Sequence, residues 1–213
     1  LGWLYLDSGC VLKTFLDDGE TLEYCYDVMD TDAVIDKLSA LGIKLAGVVV
    51  VCLTNPLVQI CDLERISDAV HVEGGLLIID PTVASVYNMD VLAYADVLVT
   101  SLTKYAAYEG DIMIGSLALN IQSSHYDALK SILPKLQVSP YEGCLKRLAH
   151  EMQDAAEKVA QMNANAAQLT KFLKAHPAVS AVYYAADSPH HAKFARSDRN
   201  GGAMISIERA GSM

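Results

Sequence analysis

The sequence predicts an α/β fold built around a mostly parallel sheet that lies between helices. Continuous apolar runs, rich in β-branched residues, alternate with segments of helical periodicity. The runs predict strands at 46–53, 76–80 and 95–101, with a further candidate at 111–119. Because parallel strands need crossover connections, buried strands interleaved with helices are typical of a doubly wound sheet.

The predicted helices have clear start and stop signals. The segments 30–42 and 62–75 each begin at an aspartate, carry apolar residues at helical spacing and end at glycine. The segment 21–26 alternates in the manner of a strand, and 141–174 is alanine-rich and helical throughout.

A change of pattern near residue 175 predicts two domains. Residues 1–175 form the large domain, incomplete at its N-terminus, and 176–213 begin a smaller α+β domain with strands at 178–184 and 201–208. Because the chain opens without methionine and ends just after a predicted strand, we expect it to be part of a longer protein.

Composition narrows the functional classes. The 213 residues carry a formal net charge of −10, which disfavours nucleic acid and anionic membrane surfaces as partners. Five cysteines, an odd number without a C-x-x-C pair, favour neither a disulfide framework nor a zinc site. With no signal-peptide pattern and no apolar run long enough to cross a bilayer, we expect a cytoplasmic protein.

Polar residues follow three of the predicted strands, where open α/β sheets gather their ligands. Asn55 follows the first strand, Asp80 ends the second, and Ser101, Thr103 and Lys104 follow the third. An amide, a carboxylate, two hydroxyls and an amine are therefore expected to converge at one edge of the sheet.

This set of groups suits pyridoxal 5′-phosphate. The amine of Lys104 can form a Schiff base with the aldehyde, and Asp80 can keep the pyridine nitrogen protonated. Ser101 and Thr103 can donate to the phosphate, and Asn55 can approach the ring hydroxyl. Each residue alone is more typical of an ordinary turn or a solvated surface, so the hypothesis depends on their order and shared location.

The same segments resemble a known family. TNPLVQICDLERISDAVHVEGGLLIIDPT (54–82) and ADVLVTSLTKY (95–105) resemble the Cys/Met-metabolism enzymes that depend on pyridoxal phosphate, namely the cystathionine synthases and lyases, methionine γ-lyase and the homoserine sulfhydrylases. Weaker likeness extends over nearly the whole chain. The resemblance implies the large domain of a fold-type I pyridoxal-phosphate-dependent transferase, with the start of the small C-terminal domain.

The resemblance also implies roles. Lys104 would carry the cofactor, Asp80 would pair with its pyridine nitrogen, and the other strand-end residues would bind phosphate and ring oxygen. Tyr5, placed by its spacing from Asp27, would stack on the ring and assist proton transfer as a catalytic residue. The implied function is transsulfuration: β- or γ-elimination, or γ-replacement, on cysteine, homocysteine, cystathionine or methionine-type substrates, by a homo-oligomer.

Departures from the family pattern support alternatives. Ala107, Tyr108 and Glu109 replace the family's Gly-Gly-His type of turn, and Pro81 replaces an asparagine. The phosphate loop and the carboxylate-binding arginine of the family fall outside residues 1–213, so we expect this chain alone to be inactive. The alternatives are a non-catalytic, degenerate paralogue that acts as an interaction protein, and another relative such as an aminotransferase.

Overall fold

The computed structural model describes residues 9, 12–14, 22–25, 27–42, 44–136, 138–197 and 201–211. Its helices and strands follow in the order α1 (Thr31–Ser39), β1 (Gly47–Val51), α2 (Leu63–Val72), β2 (Leu76–Asp80), β3 (Val97–Ser101), β4 (Gly115–Leu119), α3 (Tyr126–Leu136), α4 (Glu142–Glu151), α5 (Ala155–Lys174), β5 (Val179–Tyr184), α6 (His191–Phe194) and β6 (Ile205–Arg209). None of the helices in these ranges has the length and apolarity that a bilayer crossing requires.

The first four strands form one sheet in the order β1-β2-β3-β4. β1, β2 and β3 are parallel, and β4 runs antiparallel to β3. The predicted mostly parallel α/β sheet is therefore confirmed. Asp30 and Asp62 cap α1 and α2, since each carboxylate accepts a hydrogen bond from a main-chain N–H in the first turn of its helix.

The two faces of the sheet have different surroundings. One face packs against α1 and α2 and forms the main core, which includes Val34, Val48, Val50, Ile66, Val70, Leu77 and Ile79. Strand side chains alternate between faces, and residues paired in a parallel ladder share a face. The register of Ile78 with Val97 therefore places Asp80 and Ser101 together on the opposite face.

Two sequence expectations differ from the structure. The described part of the segment predicted as a strand at 21–26, Leu22 to Cys25, is not in a strand. The long helix predicted over 141–174 is two helices, α4 and α5, separated by a turn at 152–154. Alternation and alanine content are local signals, and tertiary contacts outweigh them at both places.

The C-terminal residues contribute to two structures. β5 and β6 pair antiparallel as a separate two-stranded sheet. Phe194, in contrast, is buried in the main core, where its ring meets Tyr94 edge-to-face with the centroids 5.1 Å apart. The division into domains at residue 175 stays a prediction.

A buried amide pair ties α5 to the turn that follows β2. Asn88 Nδ2 donates to Asn163 Oδ1 at 3.2 Å, and Asn163 Nδ2 donates to Asn88 Oδ1 at 2.7 Å. Asn88 also donates to the carbonyl of Ala84 at 2.9 Å. The two asparagines are only 1% and 3% exposed, so their partners must come from the protein.

Asn163→Ala is therefore expected to lower the free energy of unfolding by about 2 kcal/mol, because it leaves the amide of Asn88 buried without its partner. Urea unfolding followed by circular dichroism measures the change. Asn165→Ala is the matched control, since Asn165 is exposed on the same helix and bonds only Gln161 among the contacts described. The gain in helix propensity is the same in both variants, so equal free energies would contradict the prediction.

Candidate active site

The segments that follow β1, β2 and β3 are held together by main-chain and hydroxyl contacts. The N–H of Cys52, just after β1, donates to the carbonyl of Asp80 at 2.9 Å. The N–H of Ser101, at the end of β3, donates to the hydroxyl of Thr82 at 2.9 Å. The strand ends that the sequence selected therefore lie side by side at one edge of the sheet.

Asp80 is oriented by the turn that follows it. Its Oδ1 accepts the N–H of Thr82 at 2.9 Å, and the side chain is half-buried. One carboxylate oxygen is thus used locally, on the sheet face that Asp80 shares with Ser101. An aspartate in this position can hold a cationic ring nitrogen without spending its whole hydrogen-bonding capacity on the protein.

The hydroxyls of Ser101 and Thr103 differ in their hydrogen bonding within the protein. Thr103 Oγ1 lies 3.5 Å from the carbonyl and 3.4 Å from the N–H of Ile114, and these long contacts close the loop before β4. The Ser101 hydroxyl has no hydrogen bond to any described residue. Ser101 is consequently the freer of the two predicted phosphate donors.

Lys104 and Asn55 are both exposed. Lys104 lies in the turn after β3, and Asn55 lies in the turn after β1, next to the buried Thr54. Within the described residues, neither side chain forms a hydrogen bond or an ion pair. Tyr5, the predicted stacking residue, lies outside the described residues.

A shallow depression lies beside Ser101, and six of its nine lining residues carry a hydroxyl group. Its polar walls are formed by Thr82, Ser85, Tyr87, Thr100, Ser101 and Tyr105. The hydroxyls of Thr82 and Thr100 are 3.3 Å apart, and Tyr105 donates to the carbonyl of Val83 at 3.0 Å. Burial raises the pKa of Tyr105, so its hydroxyl stays a donor. Thr82 and Tyr105 stand inside the recognised motifs, yet their roles at the site could not be derived from spacing.

The buried thiols next to the site have no nucleophilic role. Burial, followed by the nearby Cys61 and Asp80, raises the pKa of Cys52, and burial raises the pKa of Cys61 to about 12. Both thiols therefore remain protonated, and a protonated thiol is a poor nucleophile and metal ligand. They pack as small apolar residues in the main core.

A second polar cluster contains a serine, a histidine and an aspartate in series. His71 Nε2 lies 3.0 Å from Asp96 Oδ2, and His71 Nδ1 lies 3.4 Å from the hydroxyl of Ser67. A catalytic triad requires the serine proton to go to the imidazole. Here Ser67 donates instead to the carbonyl of Tyr94 at 2.8 Å, so the cluster is structural.

The free polar groups of the site fit pyridoxal phosphate. The amine of Lys104, the hydroxyl of Ser101 and the amide of Asn55 have no hydrogen-bond partners in the described part of the chain, and Asp80 engages only Oδ1 there. An amine for the aldehyde, a carboxylate for the ring nitrogen and a hydroxyl for the phosphate are the groups that this cofactor needs.

The fold defines the class: it is that of the fold-type I enzymes that depend on pyridoxal phosphate. The model of the Cys/Met metabolism PLP-dependent enzyme family matches residues 11–213. The chain belongs to this family, whose cofactor is pyridoxal phosphate. The family, the fold class and the cofactor that the sequence predicted are thereby confirmed, whereas the roles of the individual residues stay predictions.

Three similar proteins illustrate the relationship. The L-2-amino-4-chloropent-4-enoate dechlorinase/desaturase of Streptantibioticus cattleyicolor is 31% identical over 211 residues, which cover 96% of this chain and 42% of the relative. The cystathionine gamma-synthase-like protein ankD of Aspergillus thermomutatus is 32% identical, over 97% of this chain and 37% of the relative. The chain thus spans less than half the length of these curated relatives.

The third is a crystal structure, the cystathionine gamma-lyase of Lactobacillus plantarum complexed with L-serine. It is 27% identical in sequence and superposes with a TM-score of 0.78. The match covers 95% of this chain and 52% of the lyase.

Proposed function

We propose that this protein is a pyridoxal-phosphate-dependent enzyme of sulfur amino-acid metabolism. It acts by β- or γ-elimination, or by γ-replacement, on cysteine, homocysteine, cystathionine or methionine-type substrates. The observation that carries the proposal is the set of free polar groups at the strand ends, led by Lys104 and Asp80. The names of the cystathionine synthase-like and lyase relatives support the same reaction class.

When bound, pyridoxal phosphate supplies an electron sink for the substrate Cα. Lys104 would have two tasks in the proposal: its amine would hold the cofactor, and the same amine, when free, would accept the proton from the substrate Cα. Asp80 holds a proton on the pyridine nitrogen, with Oδ1 kept in place by Thr82. In the proposal, Lys104 is therefore the base for the Cα proton, and Asp80 stabilises the positive charge on the pyridine nitrogen.

The remaining residues bind and orient. Ser101 and Thr103 donate to the phosphate, and Asn55 approaches the ring oxygen. Tyr5 stacks on the ring and assists proton transfer. Since Thr103 already contacts Ile114, one free hydroxyl carries most of the proposed phosphate binding within the described site. We therefore propose that these 213 residues alone hold the cofactor weakly and turn over no substrate. We further propose that the protein is cytoplasmic and forms homo-oligomers.

Covalent trapping tests the attachment site. The chain is incubated with pyridoxal phosphate, reduced with borohydride and digested, and the modified lysines are identified by mass spectrometry. Label on the peptide with Lys104 is expected to exceed that on the exposed Lys130 and Lys146 by about tenfold or more, because the site directs the aldehyde to one amine. Equal labelling of the three lysines would contradict the proposal.

The altered turn after Lys104 is the observation that favours the second candidate, a non-catalytic paralogue that acts as an interaction protein. Full-length protein, supplied with cystathionine and the cofactor, separates the two candidates. Release of a thiol supports the enzyme, and formation of a keto acid with the side chain retained indicates an aminotransferase. Specific trapping on Lys104 without turnover of any amino acid supports the paralogue.

A further inference from the structure

The turn that carries Lys104 is packed against α4. Ala106 and Ala107 are buried in a second apolar cluster with Leu148 of α4. The N–H of Ala107 donates to the carbonyl of Leu102 at 2.8 Å, which closes the backbone on both sides of Lys104. Since Lys104 itself forms no hydrogen bond or ion pair with the described residues, its location depends on how this turn is held.

Arg147 of α4 pairs with the end of the same turn. Its guanidinium forms an ion pair with Glu109, and its Nε donates to Asp111 Oδ2 at 2.8 Å. The hydrogen bond to Asp111 raises the pKa of Arg147, so the side chain stays cationic. One arginine therefore connects α4 with both carboxylates that follow Lys104.

A buried carboxylate, that of Glu151, distinguishes the contacts of Arg147 from an ordinary surface ion pair. Glu151 is 1% exposed, and its Oε2 accepts the N–H of Glu109 at 2.9 Å. Its Oε1 has no hydrogen bond to the described residues and lies 3.1 Å from Nε of Arg147. The positive charge of Arg147 thus compensates a buried negative charge that itself binds the turn, and loss of such a partner is costly.

Three residues of this turn, Ala107, Tyr108 and Glu109, are the ones that depart from the family pattern. Besides Ala107 and Glu109, Tyr108 donates to Asp154, in the turn between α4 and α5, at 2.8 Å. This hydrogen bond raises the pKa of Tyr108 to about 12. These three residues therefore all contact α4 or the turn that follows it.

We propose that Arg147 is a positioning residue that holds the turn of Lys104 against α4 and thereby sets the approach of the Lys104 amine to the cofactor. The inference rests on the proposed role of Lys104. The effect of Arg147 on the turn and on the Lys104 amine is nevertheless measurable without cofactor. An exposed pair such as Arg65 with Asp32, on helices α2 and α1, has no buried partner and no such role.

Arg147→Met tests the inference, with Arg65→Met as the matched control and Arg147→Lys as the conservative variant. In cofactor-free protein, hydrogen exchange of amides 105–110 is expected to accelerate about tenfold in Arg147→Met and to stay unchanged in Arg65→Met. Acetylation of Lys104, measured by mass spectrometry relative to Lys130, is expected to change at least about threefold. Arg147→Lys restores both readouts in part, since it keeps the charge but not the separate N–H donors that reach Asp111 and Glu109.

With pyridoxal phosphate, the half-saturating concentration is expected to rise about tenfold in Arg147→Met. The pH midpoint of the bound cofactor's absorbance shifts in the same variant and stays constant in Arg65→Met. If Arg147→Met does not fold, Glu109→Gln is expected to change the same measurements in the same direction but by less, because Glu109 is on the surface.

The inference would be overturned if hydrogen exchange of amides 105–110 and acetylation of Lys104 were both unchanged in Arg147→Met. It would also be overturned if exchange were faster while Lys104 acetylation, cofactor affinity and the pH midpoint of the absorbance stayed at their wild-type values. Absence of cofactor binding by full-length wild type instead removes the proposed function. The acetylation rate of Lys104 then still decides whether Arg147 positions the amine.

Discussion

Lys104→Ala is expected to abolish the visible absorbance that pyridoxal phosphate gives with the protein, together with borohydride trapping at this position. Elimination activity of the full-length protein is expected to fall by about 10²–10⁴-fold or more, the contribution of a positioned proton-transfer group. A methyl group can neither attach to the aldehyde nor accept the Cα proton. Absorbance titration, trapping and thiol release measure the three losses.

Folding should be unaffected by this substitution. Lys104 is exposed and forms no hydrogen bond or ion pair with the described residues, so the free energy of unfolding is expected to change by less than about 0.5 kcal/mol. Lys104→Arg separates charge from chemistry, because it keeps the cation but not a nucleophilic amine. Lys130→Ala, at an exposed lysine next to Tyr126 on α3, should retain full absorbance. A Lys104→Ala protein with the wild-type spectrum would refute the proposed attachment.

Asp96→Ala is expected to lower the free energy of unfolding by about 3 kcal/mol. Asp96 is 2% exposed and joins three parts of the fold. Its carboxylate accepts the N–H of Leu77 at 2.7 Å and the hydroxyl of Ser123, and it lies 3.0 Å from His71 Nε2. Alanine leaves the N–H of Leu77 buried without an acceptor between β2 and β3.

The Asp96 carboxylate also makes the free energy of unfolding depend on pH. Burial favours a higher pKa for Asp96, but the hydrogen bonds from Ser123, Leu77 and His71 together outweigh it and lower the pKa below 3.8. A group with a lowered folded-state pKa stabilises the protein above its unfolded pKa, and this contribution is lost as pH falls through the folded-state value. The stabilising effect of the charge is therefore expected to be complete near pH 7 and to decline as the pH falls below about 4 towards the folded-state pKa.

Asp96→Asn isolates that charge, since its amide keeps the shape and can still accept from Leu77. Urea unfolding of wild type and Asp96→Asn at about pH 7 and about pH 3 should show a difference of about 1 kcal/mol that shrinks in acid. Asp36→Ala, at an exposed aspartate on α1, is the control for charge removal and should have little effect. A wild-type to asparagine difference that grows in acid would contradict the assignment.

The regular elements were predictable where local pattern and stop signals agree. The run at 76–80 is β2 residue for residue, because glycine precedes it, proline follows it and its residues favour strands. The position of Asp80, Ser101 and Lys104 at the ends of neighbouring strands was also predictable, since the edge of a parallel sheet follows from strand order alone.

Contacts between distant segments were not predictable. Glu151 and Arg147 stand in an alanine-rich stretch whose pattern indicates one helix, and nothing in it marks a buried carboxylate. The pairing of Asn88 with Asn163 joins residues 75 positions apart. Such pairs depend on how helices pack on the sheet, and a side chain is buried only once that packing exists.

The sequence by itself determined the order of strands and helices, the family, and the lysine, aspartate and hydroxyl groups that follow the strands, because these depend on short-range pattern and motif. The tertiary structure decided which sheet face holds Asp80 and Ser101, which cation compensates Glu151 and which groups hold the turn of Lys104. The physical reason is that buried polar groups require partners, and only the folded chain brings those partners within hydrogen-bonding distance.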